Sequence, residues 1–148
     1  MKIVNKKFYR DYEEIESFEA GIVLTGAEVK SVKAGGLKLE DSYVKILSDG
    51  PYLINANIPN YKFNNEKNYN PTRSRKLLLK KKEILKIAVK MKAGGLTIAP
   101  KSCYNKGRLL KLEIALARGR KDIEKRKLEK KKDIIREKEK EAKEYLKN

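Results

Sequence analysis

Leu110, Leu112, Ile114 and Leu116 fall on one side of an extended chain, and Lys111, Glu113, Ala115 and Ala117 fall on the other. A strict period of two fits a strand and does not make one face of an α-helix. It predicts a half-buried strand of an antiparallel sheet, with the leucine side toward a core. Asn105-Lys106-Gly107, just before it, reads as a hairpin turn, and Leu96-Thr97-Ile98-Ala99 reads as a short strand ended by Pro100. Ser42-Tyr43-Val44-Lys45-Ile46-Leu47 alternates, Ser48-Asp49-Gly50-Pro51 turns, and Tyr52-Leu53-Ile54 resumes. An earlier strand is predicted over Tyr12–Ile15 and Ala20–Leu24.

Helical patterns are few. Glu83–Met91 places Ile84, Leu85, Ala88 and Met91 on one face, with Gly94-Gly95 as a stop; a shorter helix covers Ala27–Ala34, stopped by Gly35-Gly36. The string Lys-Ala-Gly-Gly thus occurs at 33–36 and at 92–95, but its flanks differ, so it marks two helix ends and no internal repeat. Asn57–Pro71 is polar, rich in Asn and Tyr, and is predicted as a long loop. Short antiparallel strands with few helices suit a small closed barrel, which removes exposed sheet edges. The expected class is mainly β: an OB-type (oligonucleotide-binding) closed antiparallel barrel with a few short helices over 1–120, followed by a basic tail over 121–148.

The tail differs from the body in kind. Between Arg118 and Asn148 there are 14 basic and 8 acidic residues, and the apolar ones reduce to Ile123, Leu128, Ile134, Ile135, Ala142, Tyr145 and Leu146. Glu139 and Lys143 form a helix-favouring pair, whereas Leu128, Ile135 and Ala142, seven apart, give only a thin stripe to bury. Such a segment is expected to be disordered or fraying alone and helical when bound.

Charge narrows the function. The whole chain has 37 basic against 20 acidic residues, a net of +17, with no His, no Trp and one Cys. Without His, the usual general base near neutral pH is missing, together with the commonest metal ligand. The single Cys103 has no partner for an internal disulfide and no His to activate it, and reads as a plain packed or surface thiol. The glycine pairs lack phosphate-loop spacing. No apolar run reaches the ~18 residues of a membrane span, and the start Met1-Lys2-Ile3-Val4-Asn5-Lys6-Lys7 has no apolar signal core. The expectation is a cytoplasmic, non-enzymatic, monomeric protein without cofactor, metal or membrane partner, whose partner is a polyanion, nucleic acid first.

Lys outnumbers Arg more than three to one, so clustered Arg is informative. Arg73 and Arg75 stand in Pro71-Thr72-Arg73-Ser74-Arg75-Lys76, and Arg118, Arg120 and Lys121 in Ala117-Arg118-Gly119-Arg120-Lys121. Guanidinium grips phosphate bidentately and stacks on bases, so both clusters are candidate RNA contacts.

Five blocks, in order, resemble the SmpB (small protein B) family, the tmRNA-binding proteins of bacterial trans-translation. They are Asn5-Lys6-Lys7-Phe8-Tyr9-Arg10-Asp11-Tyr12, Phe18-Glu19-Ala20-Gly21-Ile22-Val23-Leu24-Thr25-Gly26-Ala27-Glu28-Val29-Lys30-Ser31, Asp41-Ser42-Tyr43, Asn70-Pro71-Thr72-Arg73-Ser74-Arg75-Lys76-Leu77-Leu78-Leu79 and Leu116-Ala117-Arg118-Gly119-Arg120-Lys121. The resemblance implies an OB-type barrel that binds the tRNA-like domain of tmRNA (SsrA RNA) and carries it into stalled ribosomes. It implies a basic tail that enters the mRNA channel at the small-subunit decoding centre. Alanyl-tRNA synthetase and elongation factor Tu would be indirect partners. Carried over residue by residue, the tmRNA contacts fall on Asn5, Arg10, Glu19, Leu78, Lys80 and Lys111, and the ribosome-binding tail motif on Ile123, Glu124, Lys125 and Arg126. Lys80 and Lys111 suit phosphates, and Glu19 can accept from base edges or sugar hydroxyls or simply pair with a neighbouring Lys. Leu78 suits either the core or a contact. The chain departs from the family where Arg10 stands for a usual His, Lys80 for a polar residue, Glu124 for Asp, and Ile123 for a His or aromatic that would stack.

Overall fold

The computed structural model describes residues 1–147; Asn148, the last residue of the expected tail, lies outside them. Strand β1 is Lys2–Val4, helix α1 Phe8–Asp11, β2 Tyr12–Ile22, α2 Gly26–Lys33, β3 Tyr43–Leu47, β4 Gly50–Ile54, β5 Arg75–Leu78, α3 Lys81–Met91, β6 Thr97–Lys106, β7 Leu109–Gly119 and α4 Asp122–Lys147. The architecture is mainly β, with several short helices and a long C-terminal one. All named strand pairings are antiparallel. They run from β6 to β3, β4, β5, β2, β7 and back to β6, so the hydrogen-bonded neighbours form a ring, with β1 added on β6. The β3–β6 link is the thinnest, with the single register pair Val44 and Ile98.

The leucine face of β7 lies in the core: Leu112, Ile114 and Leu116 are fully buried, alongside Leu39, Leu53, Ile58, Leu77, Ile87 and Ile98. The other face departs from the half-buried expectation. Ala115 and Ala117 are fully buried too, because Phe8 of α1 packs on them with Ala99 and Tyr12. Small side chains at those two positions leave room for the ring. Neither β1 nor α1 is visible in the pattern of the sequence, since Met1–Asp11 has neither period.

Three predicted elements need correction. The expected strand over Tyr12–Ile15 and Ala20–Leu24 is one continuous strand, Tyr12–Ile22, paired with β7 over most of its length. The strand expected to stop at Pro100 runs through it to Lys106. Pro100 is tolerated because the register slips between Pro100 and Ser102, leaving Lys101 as the extra residue of a bulge where a ladder N–H is not required. In α3 the buried centre is Ile87, whereas Leu85 is 65% exposed, so the inward face is rotated from the predicted one. The predicted stops hold: Gly35, Gly94 and Gly95 all have positive φ.

Helix α2 starts on a capping box, with Glu28 N–H donating to Thr25 Oγ1 (3.3 Å) and Thr25 N–H to Glu28 Oε1 (2.9 Å). Helix α4 buries none of its side chains. It is tied to α1 by Arg10 Nε–Glu129 Oε1 at 2.6 Å and Lys125 Nζ–Asp11 Oδ1 at 3.6 Å, and among the described residues no helix is long and apolar enough to cross a membrane.

Candidate nucleic-acid interface

Pairing register brings together what the sequence scatters. Gly21 of β2 lies opposite Lys111 of β7 on one side and opposite Leu78 of β5 on the other. Glu19, two residues earlier on β2, points to the same face. The chain leaves β5 at Leu78 and enters α3 at Lys81, which places Lys80 at the rim. The result is an open cleft of about 420 Å³ lined by Glu19, Gly21, Leu78, Leu79, Lys80, Glu83 and Lys111. Its floor depends on Gly21: a Cβ there would stand 3.2 Å from Leu78 Cβ.

Four of the six residues assigned to tmRNA by resemblance thus share this cleft. Leu78 is 56% exposed, while its neighbour Leu77 is buried, so Leu78 is a surface residue and not core. Glu19 accepts hydrogen bonds from the Tyr104 hydroxyl and from Lys106 Nζ (3.0 Å). The Tyr104 bond first, then Lys106, hold its carboxyl below the ordinary carboxylate pKa, so it is an anion at neutral pH. Tyr104 itself is pushed up to about 12, by burial and by the Glu19 bond, and stays a donor. The cleft therefore sets two lysines, Lys80 and Lys111, beside two carboxylates, Glu19 and Glu83, the latter accepting from Lys80 N–H (3.2 Å), which suits a ligand carrying both phosphates and hydrogen-bond donors. Tyr104 and Lys106 were not anticipated. The signal was their place in alternation along β6, hidden by the assumption that Pro100 ended that strand.

The other two lie apart. Arg10 is on α1, ion-paired with Glu129. Asn5 is only 5% exposed: its amide donates to the Pro100 carbonyl (2.9 Å) and its Oδ1 accepts from Lys7 N–H (3.2 Å), fastening the N-terminal segment to the β6 bulge. Beside it Lys101 Nζ reaches Glu14 (2.8 Å) and Glu113 (3.2 Å) and lies 5.8 and 5.5 Å from the ring centroids of Phe8 and Tyr9.

The arginine clusters divide. Arg75 is fully buried, with Nε on Glu28 Oε2 (2.5 Å), Nη1 on the Ala56 carbonyl (2.9 Å) and Nη2 on the Pro71 carbonyl (3.0 Å). Its reading as an RNA contact is corrected: the guanidinium faces inward and holds the base of the 57–71 loop. Arg73 binds the other oxygen of Glu28 (2.5 Å) and keeps a partly exposed side chain. Burial alone would raise the Glu28 pKa, but Arg73, the Thr25 N–H and Arg75 outweigh it and bring it down to about 2. Arg120 donates from Nε to the carbonyls of Tyr9 (3.1 Å) and Tyr12 (3.3 Å), pinning the start of the tail to α1. Arg118 is exposed, 3.9 Å from Glu13. Lys121, Ile123, Glu124 and Arg126 are exposed on the first turns of α4 or just before it, while Lys125 is half-buried against Asp11. Cys103 is buried, and burial pushes its thiol up to about 11, outside the range of a reactive thiolate.

The family described as SmpB protein matches residues 2–144. An SsrA-binding protein of Sulfurihydrogenibium sp. (strain YO3AOP1) is 50% identical over 143 residues, covering 97% of this chain and 94% of that one. An SsrA-binding protein of Thermosipho africanus (strain TCF52B) is 45% identical over 150 residues, covering 99% and 98%. A chain of the solved structure "tmRNA-SmpB: a journey to the center of the bacterial ribosome" is similar with a TM-score of 0.67 and 38% identity, covering 82% of this chain and 85% of that one.

Proposed function

The chain belongs to the SmpB protein family, and from that premise we propose how its parts do the work of an RNA-binding adaptor that binds the tRNA-like domain of tmRNA and delivers it to stalled ribosomes for trans-translation. The observation that carries the reading is the cleft, where Glu19, Leu78, Lys80 and Lys111 from separate stretches of sequence converge. Phosphate contacts from Lys80 and Lys111 set the position of the RNA. Glu19, held in place by Tyr104 and Lys106, accepts from a sugar hydroxyl or base edge, and Leu78 supplies an apolar contact to a sugar or base face. Arg10 adds a cation once it leaves Glu129. The ring of strands is read as an OB-type closed barrel, supported by the return pairing of β7 with β6.

Residues 1–120 are the RNA-holding unit and 121–148 the ribosome-facing unit. The tail is helical over Asp122–Lys147, buries no side chain and is mostly charged apart from its thin apolar stripe, as suits a segment inside an RNA-lined channel rather than against a protein core. Its leading residues Ile123, Glu124, Lys125 and Arg126 then meet the decoding centre, with Arg118 and Lys121 at the junction. Peptide transfer and aminoacylation belong to the ribosome and to alanyl-tRNA synthetase, so an adaptor needs no catalytic set.

Lys111→Ala tests the cleft. Binding to tmRNA weakens several-fold, and the slope of log affinity against log salt becomes shallower by about one, as for loss of one phosphate contact. Measured by filter binding across a salt series, an unchanged affinity and slope would remove Lys111, and the cleft with it, from the interface.

A further inference from the structure

The 57–71 loop holds two aromatic rings that neither the core nor the cleft uses. Phe63 is 71% exposed and Tyr61 packs edge-on against it, with centroids 5.6 Å apart. A cation lies by each ring: Lys30 Nζ is 5.4 Å from the Tyr61 centroid and Lys62 Nζ is 5.6 Å from that of Phe63. The loop is built to hold this pair. Ser31 Oγ donates to the Pro59 carbonyl (2.6 Å), the Tyr69 hydroxyl to the Ile58 carbonyl (2.6 Å), and Asn64 N–H to the Tyr61 carbonyl (2.9 Å). Gly36 lets Pro59 approach, since a Cβ there would meet Pro59 Cγ at 2.8 Å. Between 57 and 74 the sole acidic residue is Glu66, set against Lys62, Lys67 and Arg73, and six asparagines fill the same stretch.

Phe63 is exposed, Tyr61 is half-buried, and a lysine ammonium lies over each ring. Rings, cations and amides together are the chemistry that grips an unpaired RNA base once an ammonium moves from a ring to a phosphate: stacking on the ring, phosphates on the cations, base edges on the amides. An acidic peptide would use the lysines but not the ring faces. The loop enters β5 at Arg75, whereas the cleft lies at the other end of that strand, from Leu78 to Lys80. About 10 Å of strand, the four residues of β5, separates the two sites.

We propose that Tyr61 and Phe63, flanked by Lys30 and Lys62, form a stacking site for an unpaired base of ribosomal RNA, so that the barrel as well as the tail grips the ribosome. This rests on the adaptor reading above, in which the cleft is already occupied by tmRNA. The test places p-benzoylphenylalanine at position 63, loads the protein with tmRNA, adds purified ribosomes and maps the crosslink, alongside affinities of Tyr61→Ala/Phe63→Ala for tmRNA and for ribosomes. The expected result is a crosslink in ribosomal RNA, ribosome affinity lowered about fivefold or more, as for loss of base stacking, and tmRNA affinity unchanged. Phe63→Trp keeps ribosome affinity. A crosslink to tmRNA alone or to protein alone, or a double variant that binds ribosomes as tightly as the parent, would overturn the proposal. If the unaltered protein fails to bind tmRNA, the adaptor reading falls instead.

Discussion

Removal of residues from Glu124 onward leaves tmRNA binding largely intact and abolishes rescue of stalled ribosomes. Among its described residues the deleted segment buries no side chain, so the sheet loses no core. It is attached by two ion pairs, Arg10–Glu129 and Lys125–Asp11, whose members are at least a quarter exposed, and pairs of that kind contribute about 0–1 kcal/mol each. The deletion removes 11 basic and 7 acidic residues, taking the net charge from +17 to +13, a modest loss of attraction for RNA. It also frees Arg10, one of the residues assigned to tmRNA. What disappears is most of α4, 24 of its 26 residues and about 36 Å of helix, the segment proposed above to enter the channel. Tag addition to a truncated message in a reconstituted translation system reports rescue, and gel shift with tmRNA reports binding. Equal loss of both would show that the tail belongs to the RNA-holding unit and sink the division into two parts.

The largest effect on stability falls on Arg75. Arg75→Ala leaves the Glu28 carboxylate buried with only Arg73 beside it and strips donors from the Ala56 and Pro71 carbonyls. Breaking one side of a buried ion pair costs about 3–5 kcal/mol, chiefly for the stranded charge. Urea unfolding should show a loss of that size. Glu28→Met/Arg75→Met removes both charges and should lose less than Arg75→Ala alone, even though the α2 capping box goes with Glu28. The same pair sets an acid limit. The Glu28 pKa falls from 4.5 to about 2 on folding, so its contribution is full above pH 4.5 and is lost as pH falls toward 2. A loss under about 1 kcal/mol for Arg75→Ala would mean that the site relaxes to admit water, contrary to the burial observed.

Much of this was legible in the sequence, and the rest failed for identifiable reasons. The alternation in Leu110–Ala117 placed β7, because period two is a local property of a strand. The same alternation left Ala115 and Ala117 facing water, because the ring that covers them, Phe8, comes from a segment over a hundred residues away. In the sequence Pro100 reads as a stop, since a bulge at Lys101 depends on the partner strand and not on the chain's own pattern. In the sequence Arg75 reads as an RNA-contacting cation because its motif shows charge and not direction. Its partner, Glu28, lies 47 positions earlier, inside a block that helped to identify the family. For the cleft, alternation alone turned Lys111 outward, but the meeting of Glu19, Leu78 and Lys80 around Gly21 follows from the registers of β2 with β5 and β7, which only the folded chain sets.

The most direct measurement is capture of the tagged, full-length protein from bacterial lysate at moderate salt, followed by sequencing of the RNA that elutes with it. The account predicts one dominant species, tmRNA, with ribosomal RNA retained in proportion to intact ribosomes and depleted by the truncation before Glu124. A broad mixture of cellular RNAs with no enrichment of tmRNA would contradict it and leave a general basic nucleic-acid binder in its place.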